Sequence, residues 1–258
     1  MKFPQKVKGA IFDVDDTMLD NQAGAKIGTI HEVSRLKAIH EVAKKYNLPT
    51  LAAVTEEENA VAFRNALTHS VDGAVWETLY VSRLVDTREL DPNHELLREI
   101  VVLKNELHID TLRTLGQEVS NASMFVGSLA AIFDIEDKMA IASSAIRRDI
   151  NIFLDELTEL RAYFPDERVI SLEDIPHNFG KPHPEPFNRA YATLGLPDSD
   201  RASVVAFEDD PRGVISAKKA GLFVCAITTR FKRDDEQLLA AQPDLIIDSY
   251  QEALELLK

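Results

Sequence analysis

The sequence predicts an α/β protein: a doubly wound parallel sheet with an α-helical domain inserted after its first strand. Three observations carry this. From about Asp137 onward, short apolar runs alternate with stretches of helical length and periodicity, the spacing of strand–helix units in a parallel sheet. A further apolar run, residues 10–12, stands far ahead of that alternation and ends abruptly in acidic residues. Between the two, residues 21–121 show helical periodicity and no convincing strand. The expected organisation is a core formed by residues 1–20 and 122–258, interrupted by a helical domain at 21–121.

Composition narrows the function. The chain has 258 residues, 45% of them apolar and 28% charged, ordinary values for a globular protein. Its net charge of −14, from 43 acidic against 29 basic residues, argues against a nucleic-acid or anionic-membrane partner, since both need basic surface. A small anionic substrate needs only a local positive pocket and stays compatible. The single cysteine, Cys225, lies in an apolar run and reads as an inert buried thiol, which excludes an internal disulfide framework. The first residues, MKFPQKVKGAIFDV, show no apolar stretch of signal-peptide length, and nowhere is there a run of the eighteen or so apolar residues that a membrane span requires. A cytoplasmic location is the expectation.

In chain order, the first strand at 10–12 feeds the segment GAIFDVDDTMLD. Residues 21–29, with Gly24 and Gly28, read as a connector free to hinge. Val33, Leu36, Ile39, Val42, Ala43 and Tyr46 recur at helical spacing, and Asn47 and Pro49 end that helix. Thr55 and Glu58 have the spacing of a capping box opening a second helix to about Leu67. Helical patterns follow at 73–84 and 94–115. Then come a strand at 139–142, a helix at 145–160, a strand at 168–172 and a helix at 184–194. A strand at 203–207, a helix at 211–220, strands at 223–227 and 245–247 and a helix at 251–257 complete the chain.

The polar residues at the strand ends carry the chemistry. Asp13 and Asp15 point to the same side of an extended chain, and like charges so close resist joint ionisation unless they share a cation. Such a pair suits a nucleophile beside an acid/base, or a hard cation; standing alone it reads as solvated or capping aspartates of a loop. Ser143 and Ser144 follow the strand at 139–142, where a hydroxyl and backbone N–H groups hold an anion or cap a helix. In Gly180-Lys181-Pro182-His183-Pro184 the glycine allows close backbone approach to a ligand. The prolines stiffen the chain, so that Lys181 is presented as a fixed positive charge, while His183 reads as a loop residue. In FEDDPRG, Asp210 and Pro211 look like N-cap and first helical residue, leaving Glu208 and Asp209 to face the cleft. With Asp13 and the region of Asp15 they make an all-oxygen set of the kind Mg²⁺ prefers.

Taken in order, DVDDT, the strand-end Ser143, GKPHPEPF and FEDDPRG resemble the four signature motifs of the haloacid dehalogenase-like (HAD) hydrolases. The pattern is similar to the subfamily with a helical cap inserted after the first motif, which contains phosphoglycolate phosphatase and β-phosphoglucomutase. The resemblance covers about residues 6–20 and 122–258; the insert matches in position and helical character. It implies a Rossmann-like core in which Asp13 is the nucleophile that forms an aspartyl-phosphate. On the same resemblance Asp15 would protonate the leaving oxygen and later deprotonate water. Ser143 and Lys181 would hold the phosphoryl oxygens. The Asp13 carboxylate, the Asp15 backbone carbonyl, Glu208 and Asp209 would hold Mg²⁺. Asp16 stands where the family often has glycine, and Asp210 where serine is common.

Within the family, Asp15 separates the chemistries. The dehalogenases and the phosphonate-cleaving members lack it, so the resemblance implies a hydrolase of phosphomonoesters. Its partner would be a small phosphorylated metabolite, a sugar phosphate or phosphoglycolate-like. The alternative is a phosphomutase of sugar phosphates, which shares the same residues. A signalling receiver places its acidic pair before the phosphorylated Asp, whereas Glu208 and Asp209 come long after Asp13. A catalytically dead binding module would have lost an acid, and none is missing. Nucleotide-binding glycine motifs, a G-x-S-x-G elbow and H-E-x-x-H are all absent. In the insert, Arg64, His69, Trp76 and Arg83 are candidates for a substrate pocket.

Overall fold

The computed structural model describes residues 2–22, 29–59 and 95–258. Gly24, Gly28, the expected helices beyond Asn59 and at 73–84, and the candidates Arg64, His69, Trp76 and Arg83 lie outside the described residues. The strands are β1 (Gly9–Phe12), β2 (Leu19–Asp20), β3 (Gln117–Glu118), β4 (Met139–Ala142), β5 (Val169–Ile170), β6 (Val204–Glu208), β7 (Phe223–Ile227) and β8 (Leu245–Ile247). The described helices include α1 (Ile30–Tyr46), α2 (Pro49–Ala52), α3 (Glu95–Leu115), α4 (Ala122–Phe133) and α5 (Arg147–Glu156). They continue as α6 (Thr158–Arg161), α7 (Glu185–Thr193), α8 (Pro211–Lys219), α9 (Glu236–Ala240) and α10 (Tyr250–Leu256). The chain divides into two compact units, one of Met1–Asp20 with Gln117–Lys258 and one of Asn21–Gly116. No described helix is long and apolar enough to cross a membrane.

The first unit contains the doubly wound parallel sheet the sequence predicts, in the order β5-β4-β1-β6-β7-β8. The chain starts at the centre, steps outward through β4 and β5, then returns to the other side of β1 for β6, β7 and β8. Strand order reverses between β1 and β6, and ligands of open α/β sheets bind beyond the carboxyl ends of the strands at such a reversal. β1 and β4 are apolar and buried along their whole length, as strands covered on both faces must be. Side chains alternate across the sheet. Ile11 packs with Ala140, Ala206, Phe187 of α7 and Val214 of α8 on one face. Phe12 stacks on Phe207 at 4.6 Å on the other, and the cluster extends through Phe125 of α4 to Tyr250 of α10.

Several elements differ from expectation for identifiable reasons. The strand expected at 168–172 is only Val169–Ile170, because 3₁₀ turns at Asp166–Arg168 and Leu172–Asp174 close on it from both sides. The helix expected at 145–160 breaks at Leu157, whose φ of −111° and ψ of 69° leave the helical region. A strand does occur within 21–121: Gln117–Glu118 pairs antiparallel with Leu19–Asp20. Two residues are too few to show any alternation.

In the second unit, α1 opens on a reciprocal capping box between Thr29 and Glu32 and closes on Asn47 in the left-handed region, φ 53°. Its buried stripe of Ala38, Ile39, Val42 and Ala43 packs with Leu51, Val54 and Ile100 of α3. Thr55 and Glu58 form the expected capping box, with backbone-to-side-chain distances of 2.9 and 3.2 Å.

Candidate active site

β1 and β6 run side by side with Phe12 opposite Phe207, so the next residues, Asp13 and Glu208, meet at the carboxyl end of the sheet. The Asp13 N–H donates to the Phe207 carbonyl at 3.0 Å, which extends the pairing to the nucleophile candidate itself. Asp13, Glu208 and Asp209 are all buried, and each offers a carboxylate oxygen lying within 4.8 Å of the others. The Asp15 carboxylate is not part of that group. Asp15 is half-buried two residues on and forms an isolated bridge to Leu19.

Lys181 enters this acidic end from the loop ahead of α7. Its ammonium, with a side chain only 8% exposed, donates to Asp13 Oδ1 at 2.6 Å and to Glu208 Oε1. It also lies over the Phe187 ring at 5.2 Å, so the apolar stem is packed and the charge has little freedom. A Cβ at Gly180 would meet no protein atom, so the chain itself supplies no steric need for glycine there. His183 behaves as a loop residue, its N–H donating to the Gly180 carbonyl and its Nδ1 accepting from Glu185 N–H.

Electrostatics follow from burial. Burial pushes the Asp13 carboxyl well above its usual range; Lys181 opposes this, and Glu208 and Asp15 reinforce it. Asp209 is raised for the same reason, with Glu208 and Asp13 adding repulsion. Burial also raises Glu208, against the pull of Lys181. For Lys181, burial alone would lower the ammonium, but Asp13 and Glu208 outweigh it and hold the group above its ordinary value. Among the described residues, three buried carboxylates therefore share one directly bonded ammonium, an imbalance that a hard divalent cation would correct.

The loop after β1 is fastened at several points. The Val14 carbonyl accepts from Thr17, Met18 and Leu19, closing a tight turn directly after Asp13. Asp16 sits in the left-handed region at φ 57°, a conformation that glycine takes freely and that aspartate tolerates better than most side chains. The Thr17 hydroxyl donates to Asp209 Oδ1 at 3.3 Å, and the Tyr250 hydroxyl to the Thr17 carbonyl at 3.0 Å. Thr229 donates to the Asp16 carbonyl.

Ser143 follows β4, the other neighbour of β1, and is buried. Its hydroxyl accepts from Ala145 N–H at 3.0 Å, the local turn that residues of this type favour. Asp210 is the N-cap of α8, accepting from Arg212 N–H at 2.8 Å, with Pro211 as first helical residue. The guanidinium of Arg212 helps hold its carboxyl below the usual range against the opposing effect of burial. The structure thus joins Asp13, Lys181, Glu208 and Asp209 by direct contact or close approach, and sets Asp15 and Ser143 on adjoining loops. Thr17, Tyr250 and Thr229 are additional supports. Of these, Thr17 lies inside the motif DVDDT, whereas Tyr250 and Thr229 reach the site from positions far along the chain, which no local pattern announces.

A family model described as haloacid dehalogenase-like hydrolase matches residues 7–221. Among curated proteins, glycerol-1-phosphate phosphohydrolase 1 of Saccharomyces cerevisiae is 34% identical over 121 residues, 45% of this chain and 45% of that protein. Pyrophosphatase PpaX of Anoxybacillus flavithermus is 30% identical over 46% of this chain and 52% of its own length. The chain spans about half the length of these curated relatives. A solved structure described as a predicted phosphoglycolate phosphatase from Haemophilus somnus superposes with a TM-score of 0.70 at 17% identity, covering 98% of each chain. At that identity the likeness establishes the shared fold.

Proposed function

The chain belongs to the haloacid dehalogenase-like hydrolases, and we propose that it is a Mg²⁺-dependent phosphomonoester hydrolase acting through an aspartyl-phosphate on a small phosphorylated metabolite. The observation that carries this is the Lys181 ammonium bridging Asp13 and Glu208 at the reversal of strand order, with Asp209 beside them. A buried carboxylate held by a fixed cation at the mouth of a sheet is arranged to attack, and the cation is placed to receive the charge of a phosphoryl group.

In this reading, Asp13 Oδ attacks phosphorus, and the bond from phosphorus to the ester oxygen breaks. Asp15 supplies the proton that the departing alkoxide needs. Lys181 and the Ser143 hydroxyl and neighbouring N–H groups hold the phosphoryl oxygens. Water then attacks the aspartyl-phosphate, Asp15 accepts its proton, and Asp13 is regenerated as inorganic phosphate leaves. The carboxylates of Asp13, Glu208 and Asp209, with the Asp15 backbone carbonyl, would hold Mg²⁺; the three buried acids against one ammonium fit such an ion. When bound, the ion supplies neutralisation of phosphoryl charge. Residues 1–20 and 122–258 serve as catalytic core, and the helical insert as a cap selecting the ester.

The relatives are named for a glycerol phosphate and for pyrophosphate, so the first assay is a panel of glycerol 1-phosphate, pyrophosphate, phosphoglycolate, sugar phosphates and nucleotides. Phosphate release should need Mg²⁺, stop with EDTA, and recover poorly with Ca²⁺, whose longer and more flexible coordination would draw both Asp13 oxygens out of aim. Full turnover in metal-free enzyme would remove Glu208 and Asp209 from the reading. Isomerised sugar phosphate without released phosphate would replace hydrolase by phosphomutase.

A further inference from the structure

Gly213 is the third residue of α8, where the sequence gives no reason for glycine. Positive-φ glycines in the described residues are Gly195 and Gly221; Gly213 is not among them, so its backbone is open to any L-residue. Space is the remaining explanation. A Cβ built at Gly213 would overlap Oε1, Cδ and Oε2 of Glu208. The Glu208 side chain folds back from the end of β6 onto the first turn of α8 and occupies the volume a side chain would take.

In that seat each carboxylate oxygen has protein partners that fix its orientation. Oε2 accepts the N–H groups of Asp209 and Asp210, each at 3.1 Å, and Oε1 takes the Lys181 ammonium. The same ammonium reaches Asp13 Oδ1 at 2.6 Å. The contacts run in series from the gap at Gly213 through Glu208 and Lys181 to the nucleophile candidate. We propose that Gly213 is a positioning residue: its missing side chain is the seat of the Glu208 carboxylate, and through that seat it sets Lys181 against Asp13. Its effect on turnover rests on the function proposed above, whereas the seat does not depend on it.

The test uses six full-length proteins: wild type, Glu208→Ala and Glu208→Ser, each with and without Gly213→Ala. Within a helix, glycine to alanine normally raises stability. In metal-free protein, Gly213→Ala should instead lower the melting temperature, because the displaced carboxylate loses its amide and ammonium partners. In either truncated background the same substitution should raise it, since nothing then fills the gap. This reversal of sign is what a general packing role for Gly213 would not produce. Mg²⁺ titrated calorimetrically without substrate should bind Gly213→Ala about tenfold or more weakly than wild type, as for loss of a supporting residue. Alanine raising the melting temperature in all backgrounds, or lowering it equally in all, would overturn the seat. Should wild type bind no Mg²⁺ and cleave no ester, the proposed function fails while the sign of the melting shifts still decides this inference.

Discussion

At the scale of single residues, the site is an excess of negative charge held together by one lysine, and this separates catalysis from stability. Asp13→Asn removes one of three mutually repelling carboxylates and keeps nearly the same shape, while Lys181 retains Glu208. An amide neither attacks phosphorus usefully nor leaves as a carboxylate, so turnover should fall by on the order of a thousandfold or more. The metal-free melting temperature should move by no more than about 4 °C, roughly 1 kcal/mol in a chain of this length. Phosphate release and a thermal melt on the same preparation check both; more than a few per cent of residual rate would remove Asp13 as nucleophile. The acids of this site were legible in the sequence because each one terminates an apolar buried strand, Asp13 after β1 and Glu208 at the end of β6. Gly213 was not, because its importance lies in a clash that exists only once Glu208 has folded back on the helix. The same holds for Tyr250, whose hydroxyl meets the Thr17 carbonyl across more than two hundred residues of chain.

At the scale of elements, the parallel strands were readable from uninterrupted apolar runs, and β7 and β8 have the predicted bounds. Helix α4 went unread because ASMFVGSLAAIF is mostly apolar and offers little amphipathic contrast, and α9 because five residues give no period. The α1–α3 pair adds a feature that sequence alone does not reveal: His31 and His108 stack with centroids 4.3 Å apart and planes 9° from parallel. Burial, with Lys104 and Arg35 adding repulsion, lowers the His31 pKa to about 3. The unfolded chain has an ordinary histidine near 6.5, so below that pH the unfolded state takes up the proton first. This contribution to stability is intact above about pH 6.5 and is lost progressively as pH falls toward 3, at no more than about 1.4 kcal/mol per pH unit. His31→Phe keeps a ring against His108 and removes the titration. Melting curves at pH 7.5, 6.5 and 5.5 should show wild type losing stability relative to the variant below about pH 6.5. Parallel pH profiles would show that His31 ionises as freely in the folded chain as in the unfolded one.

At the scale of the whole molecule, the proposed division of labour can be tested by cutting at the place the topology offers. The second unit, Asn21–Gly116, is inserted where Leu19 pairs with Glu118 and Asp20 with Gln117. Its two ends therefore belong to facing residues of one antiparallel ladder, which a two-residue Asn-Gly turn can close without distorting either strand. The sheet, the helices on both its faces and the aromatic cluster from Phe12 to Tyr250 all lie in the first unit, so the shortened chain keeps its own apolar core. It also keeps Asp13, Asp15, Ser143, Lys181, Glu208 and Asp209. If the core supplies the chemistry and the insert the choice of ester, the shortened protein should still hydrolyse a small activated ester such as p-nitrophenyl phosphate in the presence of Mg²⁺. If the insert also shields the site from water, the rates on that ester should fall, because the reacting groups are then held less firmly. Its ranking among glycerol 1-phosphate, phosphoglycolate and sugar phosphates should flatten, with kcat/KM values drawn together. The metal requirement should be unchanged, since each carboxylate that would bind the ion remains. A shortened protein that melts cooperatively yet discriminates among those esters as the full chain does would place substrate selection in the core loops around Asp15 and Ser143 instead.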